Sequence, residues 1–120
     1  MIIERDLPVK MDDGLILRAD VYRPDTSKKV PVIMTSGPYG KGAMYQEHYK
    51  PMWDWLVEKH PDILPGSQRR WLTWETVDPE QWIPWGYAVV RVDSRGAGRS
   101  PGYLDIFSPR ETKDFYNCIE

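Results

Sequence analysis

The stretch Gly86–Ser100 has the sequence GYAVVRVDSRGAGRS. Its first part, Tyr87 to Val92, is a short and nearly continuous apolar run, which is typical of a strand covered on both faces. The polar residues that follow close this strand. We expect Asp93 and Arg95 to fix the next loop through hydrogen bonds and a charge pair, while the glycines of that loop supply backbone freedom.

A second apolar run, Val30 to Thr35, has the same character and predicts another strand covered on both faces. The segment 42–86, between the two runs, has a helical pattern near Lys50 to His60 and is irregular and Trp-rich from Pro61 to Trp85. Buried strands joined by a helical connection indicate a parallel α/β sheet. We therefore interpret 42–86 as a helical, Trp-rich insertion within one domain.

The first residues of the chain predict an antiparallel hairpin. Apolar residues of one parity alternate with charged residues from Ile3 to Met11, and Pro8 within this run indicates an edge position. The sequence Asp12-Asp13-Gly14 is typical of a turn, and a second alternating run, Leu15 to Tyr22, follows it. The sheet is thus expected to carry an antiparallel hairpin at its edge.

The last residues predict a helix. Ser108 and Glu111 form a capping-box pattern with Pro109 at the first helical position, and Phe115, Cys118 and Ile119 would form the apolar face. Such a helix is normally followed by another strand, so we expect residues 1–120 to be the N-terminal fragment of one larger domain with an incomplete sheet. The open sheet edge and the apolar helix face also predict self-association, for example as a homo-oligomer.

Composition narrows the class of partner. The chain has 16 Lys and Arg against 18 Asp and Glu, a formal net charge of -2, which gives no electrostatic reason to bind nucleic acid or an anionic membrane. The single cysteine excludes an internal disulfide, offers no zinc-site spacing and fits a reducing compartment. The charged start MIIERD matches neither a signal peptide nor a membrane span. We expect a cytoplasmic protein with a small molecule or a peptide as its partner.

Four stretches in a fixed order carry a resemblance to a known family. They are Met11–Leu15 with Asp20–Pro24, Pro31–Met34 with Gly37–Lys41, Gly86–Val90 with Asp93–Ser100, and Glu111–Glu120. In this combination the chain resembles, nearly from end to end, the cocaine-esterase/NonD and X-prolyl dipeptidyl-peptidase group of α/β-hydrolases. The resemblance implies the N-terminal portion of an α/β-hydrolase sheet. The Trp-rich stretch Pro61 to Trp85 is longer than the connection typical of the group.

The resemblance also implies a serine hydrolase with a Ser-Asp-His triad in that order along the chain. Its nucleophile would follow the helix that begins at Pro109, so all triad residues would lie outside these residues and the 120 residues alone would be inactive. The implied substrate is an ester, an amide or an X-Pro peptide, cleaved through an acyl-enzyme without metal or cofactor.

One catalytic role implied by the family matches a residue of this chain. Tyr39 corresponds to the tyrosine whose hydroxyl helps to form the oxyanion hole, where a preorganised donor contributes roughly 3 to 4 kcal/mol. From the residues alone, Tyr39 also fits a Pro-Tyr-Gly turn whose ring packs as an amphipathic surface group. The alternative function is a non-catalytic module in which the Trp-rich segment holds a peptide or a sugar and Tyr39 is a contact residue.

Other candidate residues fit structural roles better. Ser100 lies in a G-x-S-x-G pattern, but Pro101 has no backbone N–H to complete an oxyanion hole, so we reject Ser100 as the nucleophile. The histidines, His48 and His60, are expected at the surface. Tryptophans more often pack in cores than line ligand pockets, although an acyl pocket is the alternative interpretation of Trp53, Trp55, Trp71, Trp74, Trp82 and Trp85.

Overall fold

The computed structural model describes residues 1–120 as a four-stranded mixed sheet with helices and loops packed on its faces. The strands are β1 (Ile2–Lys10), β2 (Ile16–Arg23), β3 (Val32–Gly37) and β4 (Ala88–Asp93). The helices are α1 (Tyr45–His48), α2 (Lys50–Lys59), α3 (Pro79–Trp82) and α4 (Pro109–Ile119), and a 3-10 turn covers Pro61–Ile63. None of these helices combines the length and the apolar character that crossing a membrane would require.

The strand order is β1-β2-β4-β3. Strand β2 pairs antiparallel with β1 and with β4, whereas β3 pairs parallel with β4. The predicted antiparallel hairpin at the sheet edge and the predicted parallel pair are therefore confirmed. Pro8 lies in the edge strand β1, where a missing backbone donor is tolerated.

The run from Val30 to Thr35 forms a strand as predicted, at Val32–Gly37, but no residue of this strand is fully buried within residues 1–120. Strand β3 pairs only with β4 and forms the second edge of the sheet, and Val32 is 54% exposed. Strand β2 occupies the other side of β4, so within residues 1–120 no second strand pairs with β3. An apolar run indicates that a strand is suited to burial, but it does not identify the neighbours that would bury it.

The two faces of the sheet carry different cores. One face has an apolar cluster of Met11, Leu17, Ala19 and Val92, against which Cys118 of α4 packs. On the other face, Tyr22, Ile83 and Val89 pack with residues of segment 42–86, among them Trp71 and Val77. Strand β2 is therefore covered on both sides.

Helix α4 begins as predicted but docks differently. The Ser108 hydroxyl accepts a hydrogen bond from the Glu111 backbone N–H at 3.1 Å, which confirms the cap. The predicted apolar face is only partly correct, because Ile119 is 64% exposed and the most buried residue of α4 is Asp114. The Asp114 carboxylate accepts two hydrogen bonds from the Arg95 guanidinium, at 2.8 and 2.9 Å, and this bidentate pair holds the helix on the loop after β4.

Candidate active site

The loop that follows β3 turns away from the sheet beside the end of β4. The Ser94 backbone N–H donates to the Gly37 carbonyl at 3.1 Å, so the two parallel strands end together. Gly40 has a φ of +84°, a left-handed conformation that a residue with a side chain adopts only with strain. Tyr39, which precedes it, is 50% exposed. The loop thus presents Tyr39 at the carboxyl ends of the parallel strands, where α/β sheets place their ligand sites.

A cavity of about 250 Å³ opens at this edge of the sheet. One side is formed by Gly37–Lys41, which we call the tyrosine wall, and another by Thr73–Thr76, which we call the tryptophan wall. Ile106, Phe107 and Glu111, at the start of α4, close a third side, and the ends of β3 and β4 contribute Thr35, Ser36, Arg91 and Val92. The cavity therefore collects residues from the sheet, from segment 42–86 and from the approach to α4.

The tryptophan wall is held to the sheet by Arg91. This residue of β4 is almost fully buried, and its guanidinium donates to the Trp71 carbonyl at 2.6 Å and to the Val77 carbonyl at 2.9 Å. The guanidinium also lies 5.0 Å from the centroid of the Tyr22 ring, a cation–π distance. Burial lowers the pKa of Arg91. Because its two hydrogen bonds reach main-chain groups on either side of the wall, Arg91 clamps both ends of the loop that carries Trp74.

Aromatic rings support the same wall from behind. The Trp74 ring stacks on Tyr45 with a centroid distance of 5.7 Å and packs against Tyr49 at 5.4 Å. Its edge-on contact with Tyr39, at 6.4 Å, joins the two walls. Of the six tryptophans, Trp74 is the one that lines the cavity. The pocket interpretation therefore fits one tryptophan, while Trp71 and Trp82 pack against the sheet.

The tyrosine wall is fixed by Lys41. Its backbone N–H donates to the Asp93 carboxylate at 2.6 Å, and its ammonium lies 2.5 Å from Asp6, 3.0 Å from Asp20 and 3.8 Å from Asp93. Burial alone would lower the pKa of Lys41, but the hydrogen bonds to Asp6 and Asp20 outweigh it and the pKa is raised. The hydrogen bond from Lys41 holds the pKa of Asp6 below its ordinary value. Both shifts favour the ionised forms of Lys41 and Asp6.

The loop after β4 is built around the Asp93 carboxylate. Besides Lys41, this carboxylate accepts a hydrogen bond from the Arg99 backbone N–H at 2.8 Å. A Cβ atom at Gly98 would lie 2.3 Å from its Oδ2, so the close approach requires glycine. Asp93 and Arg95 both fix the loop, as predicted, but they bond to Lys41 and Asp114 rather than to each other.

The family of the chain follows from a comparison with known proteins. A family model for X-Pro dipeptidyl-peptidases, the S15 family, matches residues 13–120. The chain belongs to the S15 family. The resemblance predicted from the four sequence stretches is thus confirmed.

Solved and curated relatives of this S15 chain agree with that assignment. A CocE/NonD family hydrolase from Staphylococcus aureus is 34% identical with a TM-score of 0.80, and the match covers 100% of this chain and 20% of that one. A cocaine esterase from Rhodococcus sp. (strain MB1 Bresler) is 29% identical over 100 residues, which are 83% of this chain and 13% of the esterase. An α-amino acid ester hydrolase, 18% identical with a TM-score of 0.58, shares the fold over 98% of this chain and 18% of that one. The α/β-hydrolase fold is confirmed, and the chain spans about a fifth or less of these relatives.

The structure separates the predicted site residues of the S15 chain. Tyr39 lies at the cavity, whereas Ser100 is buried with its hydroxyl donating to the Asp93 carbonyl at 2.6 Å and accepting from the Arg18 backbone N–H at 2.9 Å. A hydroxyl engaged in this way ties β2 to the loop and is poorly placed to attack a substrate. His48 and His60 are exposed, as expected. No group of three or more His, Cys, Asp or Glu side chains is arranged to hold a metal ion.

The two residues that hold the walls, Lys41 and Arg91, were not among the predicted site residues. Lys41 directly follows the Pro-Tyr-Gly motif. Asp6 in the first predicted strand and Asp20 in the second could have indicated a buried cation between them. Arg91 interrupts an apolar run predicted to be buried on both faces, and a buried arginine requires partners. Both signals show that a partner is needed, but neither shows which one.

Proposed function

We propose that this chain forms the oxyanion-hole side of the active site in a serine hydrolase that cleaves ester or amide bonds through an acyl-enzyme. In this proposal the Tyr39 hydroxyl donates a hydrogen bond to the carbonyl oxygen as negative charge develops on it. The nucleophile and the rest of the triad are supplied by sequence that follows these residues.

The observation that supports the proposal is the position of Tyr39 in a chain of the S15 family. The residue is half exposed at a cavity where two parallel strands end, and it lies on a loop fixed by a buried ion cluster. An oxyanion donor must be oriented before the reaction, because a donor that reorganises during the reaction loses most of its electrostatic advantage. The fixed tyrosine wall meets that requirement.

The substrate class rests on the relatives and on the shape of the cavity. The family model describes X-Pro dipeptidyl-peptidases, and the Rhodococcus relative is a cocaine esterase. The cavity combines the apolar surfaces of Trp74, Ile106 and Phe107 with a polar rim. We propose an ester or an amide, including an X-Pro peptide, with an apolar group next to the scissile carbonyl.

The test is Tyr39→Phe in the full-length enzyme, which removes the hydroxyl and keeps the ring contact with Trp74. We expect kcat to fall about 100-fold or more with little change in KM, because the interaction forms mainly in the transition state. The matched control is Tyr49→Phe, whose ring also packs on Trp74 but does not line the cavity. This control should keep wild-type kcat. A kcat of Tyr39→Phe within about threefold of wild type, less than 1 kcal/mol, would exclude the donor role.

The aromatic tryptophan wall favours a second candidate function, a non-catalytic module that binds a peptide or a sugar. Stacked rings beside a cavity are suited to ligand binding without chemistry. Reaction of the full-length protein with a fluorophosphonate probe separates the two candidates. Covalent labelling supports the hydrolase, whereas ligand binding without labelling or turnover supports the module.

A further inference from the structure

The Lys41 ammonium is enclosed by carboxylates from three different strands. Asp6 belongs to β1, Asp20 to β2 and Asp93 to the end of β4. The Lys41 side chain is only 4% exposed, and Asp20 and Asp93 are buried as well. A buried ammonium without these partners would be strongly unfavourable, so the cluster and the position of Lys41 depend on each other.

A β-bulge in β1 brings the acidic groups to the lysine. The pairing of β1 with β2 shifts between Glu4 and Leu7, and Asp6 adopts a φ of 53° in the left-handed region. The Asp6 backbone N–H donates to Asp20 at 3.0 Å, and the Arg5 guanidinium donates to the same carboxylate at 2.5 Å. Bulges commonly re-aim side chains beside functional sites, and here the re-aimed side chain is the one that contacts Lys41.

Lys41 lies two residues after Tyr39 and is held through both its main chain and its side chain. Its backbone N–H is bound to Asp93 at the end of β4, and its ammonium is bound to β1 and β2. On the opposite side, the Tyr39 ring has the edge-on contact with Trp74. Lys41 therefore anchors the loop to the sheet on the carboxyl side of Tyr39.

We propose that Lys41 is a positioning residue for the oxyanion donor: its contacts with Asp6, Asp20 and Asp93 hold the tyrosine wall at the distance from the substrate carbonyl that Tyr39 requires. This inference rests on the proposed function of Tyr39. Lys41 itself does not touch the substrate. Its contribution to the reaction passes through Tyr39 and cannot exceed the contribution of the Tyr39 hydroxyl.

Because the contribution of Lys41 passes through Tyr39, the effect of removing Lys41 should depend on whether the Tyr39 hydroxyl is present. An ion cluster with a purely structural role would not show this dependence. Lys41→Met is made in the full-length enzyme, both alone and in the Tyr39→Phe variant, and kcat and KM are measured for each. Alone, the substitution should lower kcat by about 30-fold with KM within about twofold, because a misplacement of about 1 Å is costly for catalysis. In the Tyr39→Phe variant it should lower kcat by less than about threefold, since the donor has already been lost.

An equal loss in both backgrounds would overturn the inference, because Lys41 would then act independently of Tyr39. The two proposals fail in different ways. A wild-type kcat for Tyr39→Phe contradicts the donor assignment, whereas a large loss for Tyr39→Phe with an additive effect of Lys41→Met contradicts only the positioning role. The matched control is Lys50→Met, which removes an exposed lysine bound to Asp54 at 2.8 Å and should leave kcat unchanged.

A milder variant keeps the test decisive if Lys41→Met does not fold. Asp6→Asn removes one charge from the partner that is most exposed and leaves the buried aspartates in place. We expect kcat about three- to tenfold lower than wild type and less than twofold lower in the Tyr39→Phe background. A wild-type kcat for Asp6→Asn, or the same loss in both backgrounds, would overturn the inference.

Discussion

The two walls of the cavity differ in what holds them. The tyrosine wall is fixed by a side chain of its own, Lys41, whose ammonium enters a cluster of carboxylates. The tryptophan wall is fixed by a side chain of the sheet, Arg91, which binds main-chain carbonyls of the wall. The first arrangement requires a lysine within the wall, so it constrains the sequence of the wall as well as its position. The second constrains only the position of the wall, because every residue offers a main-chain carbonyl. This difference fits the proposed roles, in which the tyrosine wall serves the chemistry and the tryptophan wall serves substrate fit.

The largest effect on stability is expected in the loop after β4, where an added methyl group at Gly98 would overlap the Asp93 carboxylate. Gly98→Ala combines a positive φ with a Cβ placed 2.3 Å from the buried Asp93 carboxylate, which Lys41 and Arg99 hold in place. We expect a loss of about 3 kcal/mol in the free energy of unfolding, the sum of backbone strain and overpacking. The measurement is urea unfolding of the full-length protein.

The matched control for Gly98→Ala is Gly66→Ala in segment 42–86. Gly66 also has a positive φ, +86°, but nothing lies within 4 Å of the position of a Cβ atom. Gly66→Ala should therefore lower the free energy of unfolding only by the backbone strain, about 1 kcal/mol. Equal losses for the two variants would mean that Asp93 moves away at no cost and that the tyrosine wall is less tightly held than its contacts indicate.

A smaller effect is expected when the clamp of the tryptophan wall is removed. Arg91→Met leaves the Trp71 and Val77 carbonyls without their donor, which should cost about 2 kcal/mol of unfolding free energy. In the proposed function the tryptophan wall contacts the substrate rather than the oxyanion, so KM should rise more than kcat falls. Steady-state kinetics on one ester substrate, together with urea unfolding, measure both effects.

The control for Arg91→Met is Arg70→Met, which removes an exposed arginine bonded only to the Gln68 side chain. It should leave stability and KM at their wild-type values. If Arg91→Met instead lowered kcat with KM unchanged, the division of roles between the two walls would be contradicted.

The smallest effect is expected on the outer surface of segment 42–86. The Trp55 side chain on α2 is exposed and has one edge-on aromatic contact, with His60 at 6.1 Å. Trp55→Ser should change the free energy of unfolding by no more than about 0.5 kcal/mol. A loss of several kcal/mol in the full-length enzyme would reveal that other parts of the polypeptide cover this surface.

The sheet could be predicted from the sequence because its signals are local. The run before Asp93, the turn around Gly14 and the cap at Ser108 each describe their own neighbourhood, and the structure has a strand, a hairpin and a helix start at these places. The position of β3 at the sheet edge could not be predicted. Strand order depends on which strand pairs with each side of β4, and the local sequences of β2 and β3 do not record that pairing.

The candidate site was only partly predictable. Tyr39 followed from the family resemblance, and its place at a cavity agrees with that prediction without testing the donor role. The contacts of Asp6 and Asp20 with Lys41 were not predicted, because the bulge in β1 breaks the alternation of that strand and brings Asp6 to the lysine. Such a cluster joins residues far apart in sequence, so no local pattern identifies it.

The binding of Arg91 to main-chain atoms has a consequence for how this part of the protein can change in evolution. Because every residue type offers the same carbonyl, replacement of the side chains from Thr73 to Thr76 leaves the anchor at Trp71 and Val77 intact. In the proposed hydrolase, new substrate preferences can therefore arise in this short loop while the neighbouring loop of Tyr39 keeps its anchor at Lys41. A library randomised at these four positions should yield many folded members with altered selectivity, whereas one randomised from Pro38 to Lys41 should yield few that are active.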